Sequence, residues 1–176
     1  TNRPTELYRV NQDDTWDLIV GEPRLTPQGF KAPLSGMGIG FGSWFNGHFW
    51  RMAVHEGQLY LTTWDSSVGI RFLDILDKLF GFQYGFDFFR TRDGVHWEAV
   101  TRGGFIDGLN SGGRSIKSTP EGLFVGTARP KGGAQVYLCA PPDCTDLEPA
   151  AALPPPEHLE AVPELTAGRS VILTWG

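Results

Sequence analysis

The sequence predicts an all-β chain of antiparallel strands, and three features of it do so. Glycine accounts for 23 of 176 residues and proline for 13, so turn-formers make up about a fifth of the chain, a composition unsuited to long helices. Apolar and polar residues alternate with period two over short runs, as half-buried strands do. Glycine-bearing turns separate those runs. The six tryptophans, within 12% aromatic and 40% hydrophobic residues, supply enough apolar area for a core and argue against disorder.

The elements follow in order. Phe49 to His55 leads through Glu56-Gly57 into Leu59 to Trp64, which reads as one hairpin. Ile70, Leu73, Leu76, Leu79 and Phe80 then recur at three- or four-residue spacing, with Arg71, Asp74, Asp77 and Lys78 between them. That spacing predicts a short amphipathic helix over 70–80, inserted between strands and lying on the sheet, or else serving as a lid or docking helix. A second hairpin runs from Phe86 to Thr91, turns at Arg92-Asp93-Gly94 and returns from Val95 to Val100; Asp-Gly supplies the positive φ that such turns need. A third runs from Arg114 to Ser118 and, past Pro120-Glu121-Gly122, from Leu123 to Thr127, with a further strand from Ala134 to Cys139.

An internal repeat organises these hairpins. The stretch from Arg51 to Thr63 matches that from Arg114 to Thr127, with a Gly-Phe pair upstream of each, Gly29-Phe30 and Gly104-Phe105, and an asparagine in each connector, Asn46 and Asn110. Two copies about 64 residues apart, each holding strand, turn, strand and further strands, predict a β-repeat architecture.

At this point the residues resemble a known family. Thr91-Arg92-Asp93-Gly94-Val95-His96-Trp97 resembles a shortened Asp-box, the turn between strands of sialidase-like β-propellers, with Thr91 where serine is usual. Gly122 to Thr127 with Gly132 to Tyr137 is similar to blade strands of bacterial propeller proteins. The likeness covers residues 16–140. It implies four-stranded antiparallel blades, about two and the end of another within 1–140, as a partial propeller. It also implies that Thr91, Asp93, Gly94 and Trp97 are structural, the carboxylate capping backbone N–H groups and the indole lying between strands.

Composition shifts after that. Residues 141–156 are rich in proline, alanine and acidic residues and read as an extended linker. Residues 157–176 resemble the first strands of a fibronectin type III domain, whose remaining strands the text does not contain. A closed propeller needs at least four blades, so the length predicts a piece of a longer protein or a subunit that depends on neighbours.

The formal charge of −5, from 15 basic and 20 acidic residues, disfavours nucleic-acid binding through a basic field. No apolar run approaches the roughly 18 residues of a membrane span. The four histidines lack zinc-site spacing, and no Walker, dinucleotide-binding or nucleophile-elbow motif opens a helix, so no metal, cofactor or catalytic residue is predicted. Cys139 and Cys144, with four residues between them, are expected as a disulfide of an exported protein rather than as free thiols. Arg51 and Arg114, at matching places in the repeat, and Trp64 with Asp65 at a strand end are the candidate ligand residues: an indole and a carboxylate suit sugar stacking and hydroxyl recognition. The expected function is a non-catalytic extracytoplasmic module, periplasmic, cell-surface or secreted, that binds protein or glycan or serves as a subunit of a larger assembly. The alternative is a fragment of a sialidase-like hydrolase or lyase with Arg51, Asp65 and Arg114 near the propeller axis.

Overall fold

A computed structural model describes residues 5–70, 84–105, 107–139, 159–163 and 171–175. Its described residues are all-β, with strands that are mostly antiparallel and two short helical turns, a 3-10 turn at Ile39–Gly42 and α1 (Ser67–Ile70). The helix expected over 70–80 falls almost wholly outside the described residues.

The centre of the fold is an antiparallel meander of four strands, β5 (Asn46–His55), β6 (Gln58–Asp65), β7 (Asp87–Thr91) and β8 (Trp97–Arg102). A second meander follows, β9 (Gly112–Thr119), β10 (Gly122–Ala128) and β11 (Val136–Cys139). A single rung, Trp64 to Gly112, joins the two. Ahead of both lie two small hairpins, β1 (Leu7–Val10) with β2 (Trp16–Val20) and β3 (Arg24–Thr26) with β4 (Gly29–Lys31). The last hairpin, β12 (Leu159–Pro163) with β13 (Val171–Trp175), pairs with no other described strand. The linker expected over 141–156 lies outside the described residues.

Two apolar layers hold these sheets face to face. Tyr60, Phe86 and Phe88 of the first meander meet Leu123, Val125 and Tyr137 of the second. On the opposite face, Leu61, Phe89 and Trp97 meet Ile19 and Val20 of β2. A phenylalanine is wedged into each layer. Phe105 touches Phe86, Phe88 and Tyr137, while Phe41 stacks on Phe89 at 4.0 Å between ring centres.

Both phenylalanines have φ of +57°, a conformation costing a residue with a Cβ about 1–2 kcal/mol. Full burial of a phenylalanine side chain returns about 1.5–3 kcal/mol, so the strained backbone is sustained by the layer it fills. Each follows a glycine also at positive φ, Gly40 and Gly104. The counterpart of Gly104-Phe105 is therefore Gly40-Phe41. Phe30, which the sequence pairing put in that place, is exposed on the β3–β4 hairpin.

A buried asparagine fixes each wedge. Asn46 Nδ2 donates to Gly40 O at 2.8 Å and to Asp87 Oδ2 at 2.9 Å, while the Thr63 hydroxyl donates to Asn46 Oδ1 and accepts from the Asp87 amide. Asn110 Nδ2 donates to Gly104 O at 2.8 Å and to Gln135 Oε1, and the Gln135 amide donates to the Thr127 hydroxyl. The two networks share the asparagine bond to the glycine carbonyl and the threonine that accepts a downstream amide, but only Asn46 Oδ1 accepts from its threonine. They differ in the stretch they span, since Thr63 and Asp87 are 24 residues apart but Thr127 and Gln135 only 8. The longer connection carries α1.

Candidate functional site

The bonding register places the candidate residues differently from the linear match. In β5 the register slips between Phe49, opposite Thr63, and Arg51, opposite Thr62, so Trp50 is the extra residue of a bulge. In β9 it slips between Gly113, opposite Thr127, and Ser115, opposite Gly126, so Arg114 is the extra residue there. Bulges re-aim a side chain. The structural equivalent of Arg114 is thus Trp50, and that of Arg51 is Ser115. The sequence match of Arg51 to Arg114 is off by one because a bulge adds a residue without adding a rung.

The two bulge residues meet. The Arg114 guanidinium carbon lies 4.8 Å from the centre of the Trp50 ring system, within cation–π range. Trp50 lies 6.3 Å from Trp64, and Trp64 5.3 Å from His48, ring centre to ring centre. Gly112 makes the close approach possible: a Cβ there would fall 2.2 Å from Trp50 Cζ3. His48 and Arg114 are exposed and both indoles half-buried, so the cluster is an aromatic surface with a cation at its margin. Arg51, also exposed, donates to the Trp50 carbonyl at 3.3 Å. Trp50 and His48 were not singled out from sequence; the signal available was the aromatic run His48-Phe49-Trp50 opening a strand whose partner ends in Trp64.

Asp65 does not join this surface. It is 3% exposed, its Oδ1 accepts from the Ser67 amide at 2.7 Å and from the Ser67 hydroxyl, and its own amide donates to Ser111 O. Burial, with the charge of Asp87 nearby, pushes its carboxyl up to about 6. A carboxyl in that range has the acidity of a general acid, but a substrate has no access to it. Asp87 is also pushed up by burial, against the hydrogen bonds of Asn46 and Arg102.

The β7–β8 turn is built around Asp93. Its Oδ1 accepts from the amides of Val95 and His96, each at 2.8 Å, its Oδ2 lies 2.6 Å from His96 Nδ1, and the carboxyl is held well below the usual range by those bonds. Thr91 Oγ1 accepts from the Gly94 amide, Gly94 has φ of +75°, and Trp97 Nε1 donates back to Gly94 O. Thr91, Asp93, His96 and Trp97, with Gln58 and Arg90, line a shallow depression of about 340 Å³. The β1–β2 hairpin has the same frame: an Arg9–Asp17 ion-paired rung precedes the Val10–Trp16 rung, as Arg90–Glu98 precedes Thr91–Trp97. Its loop follows another path, with positive φ at Asp14.

Cys139 is buried at the end of β11, whereas Cys144 lies outside the described residues. Among the described residues no three His, Cys, Asp or Glu side chains are grouped to hold a metal, and no helix is long and apolar enough to cross a membrane. Compared with protein-family models, curated proteins and solved structures, the chain matches none.

Proposed function

We propose that the chain is a section of a β-propeller acting outside the cytoplasm as a non-catalytic binding module, with a glycan as ligand of the Trp50–Trp64–Arg114 surface. The observation that carries the reading is that equivalent bulges of successive first strands deliver an indole and a guanidinium to one exposed place. Aromatic faces take the apolar C–H side of a sugar ring, and a guanidinium donates to its hydroxyl or carboxyl oxygens. The repeated phenylalanine wedges support the propeller part, since each fills the layer between one unit and the next, with a buried asparagine bonded to the glycine ahead of it. Cys139 and Cys144 form a disulfide in this reading, as an exported chain permits.

Screening an immobilised glycan array and titrating any hit by tryptophan fluorescence tests the proposal. Binding should change indole emission, and Trp64→Ala should weaken it on the order of tenfold or more, the loss of one stacking contact of about 1.5 kcal/mol. A folded chain that binds no saccharide, or binds equally well without Trp64, overturns it.

A further inference from the structure

The two faces of the β5–β8 meander are covered unequally. Toward β9–β11, all four strands place apolar side chains under cover: Ala53, Tyr60, Phe88 and Val100 all lie in or against the shared layer. Toward β1–β2, the layer takes in Leu61, Phe89 and Trp97 but stops short along the first strand. Met52 and Val54 share rungs with Leu61 and Leu59, yet are 45% and 64% exposed.

The small hairpin beside that bare strip is half of a unit. β1–β2 repeats the rungs of β7–β8, but β7 also pairs along its other edge with β6. Among the described residues β1 pairs only with β2, and Tyr8 and Val10 are exposed on it. Backbone groups on such an edge are a template for another strand.

We propose that this place receives an antiparallel β-hairpin of the same repeat type, pairing with β1 and covering Met52 and Val54. On the opposite face β9–β10 already occupies the corresponding position, pairing with β11 and covering Ala53 and Tyr60. The occupant is a hairpin equivalent to β9–β10, apolar toward Met52 and Val54, added by β-augmentation. The inference rests on the repeat architecture of the proposed function and not on its glycan.

The test appends a second copy of residues 110–135 ahead of Thr5, so that the hairpin is present at high effective concentration. Exchange of the β1 amides that face away from β2 should slow on the order of tenfold or more, and Tm should rise by about 5 °C. Met52→Lys with Val54→Lys should abolish both gains in the extended chain while leaving the original chain's Tm within about 2 °C, because both side chains are solvated there. Unchanged exchange in the extended chain, or gains that survive both lysines, overturn the proposal. Neither lysine touches Trp64, so a glycan titration reports separately on the binding reading.

Discussion

Replacing Asn46 by alanine should cost roughly twice as much as replacing its counterpart Asn110. Asn46 is fully buried and makes three side-chain bonds: to the Gly40 carbonyl, to the Asp87 carboxylate and from the Thr63 hydroxyl. A bond to a charged group is worth about 1.5–3 kcal/mol and a neutral one about 1 kcal/mol, so the truncation should cost about 4 kcal/mol. It also leaves Asp87, already pushed up by burial, with fewer donors. Asn110 donates only to neutral oxygens, of Gly104, Gln135 and Tyr137, and its buried Oδ1 has no hydrogen-bond partner. Removing that unsatisfied oxygen returns about 1 kcal/mol, leaving a net cost of about 2 kcal/mol. Urea unfolding reads both. With m of about 2 kcal/mol/M, the midpoint should fall by about 2 M for Asn46→Ala and about 1 M for Asn110→Ala at unchanged m. Equal midpoints, or a larger loss at Asn110, would refute the assignment of the difference to the Asp87 bond.

Other substitutions separate packing from surface chemistry and charge from burial. Gly112→Ala places a methyl group where the Trp50 ring lies and should cost about 1–3 kcal/mol with a shift in indole emission; an unshifted spectrum at full stability counts against the contact. Arg114→Ala, exposed on the same strand, should cost less than about 1 kcal/mol, read from the same urea curves, and a larger loss would mean that it braces the fold. Asp65 titrates higher folded, about 6, than its ordinary 3.8, so its contribution is fully present below about pH 4 and falls away as pH rises toward 6, by about 3 kcal/mol at most. Asp65→Asn, whose amide oxygen still accepts from Ser67, should then gain on the wild type from pH 4 to 6 in urea midpoint; a constant difference between the two refutes the shift. In the native chain Cys139 and Cys144 should resist alkylation until reduced, and two modified cysteines in an unreduced, denatured sample would exclude the bridge.

Period-two alternation and glycine turns made the central hairpins legible, although β6 and β7 are buried on both faces, Tyr60 and Phe88 in one layer and Leu61 and Phe89 in the other. The expected turn at Glu56-Gly57 sits between β5 and β6, both residues at positive φ. The β1–β2 and β3–β4 hairpins were not read as strands. They are three to five residues long, and Leu25 and Phe30 are exposed on paired positions, so hydrophobic patterning carries little signal for them. Asn46 and Asn110 were visible as repeated residues, but a linear chain does not reveal that an asparagine in a connector is buried and bonded to a strand two elements away. Asp65 looked like a strand-end ligand residue for a similar reason: proximity to Trp64 in sequence says nothing about the inward turn that Ser67 stabilises.

The same comparison separates what the fold requires from what a ligand can use. Positions that brace each unit and its incoming connector carry the same or similar residues in both units: Phe41 and Phe105, Asn46 and Asn110, Thr63 and Thr127, Asp87 and Gln135. Each is buried or hydrogen-bonded across elements, so changing one strands a polar group or opens a cavity. The bulge position repeats in geometry but holds Trp50 in one unit and Arg114 in the other. A bulge gives its residue a defined direction without asking it to fill a rung, so chemistry there can differ between units at little cost to the wedge below. An aromatic face in one unit and a cation in the next, brought within 4.8 Å, is the arrangement such freedom allows. On the proposed reading recognition therefore belongs to the bulges, while the buried asparagines brace the connectors beneath them.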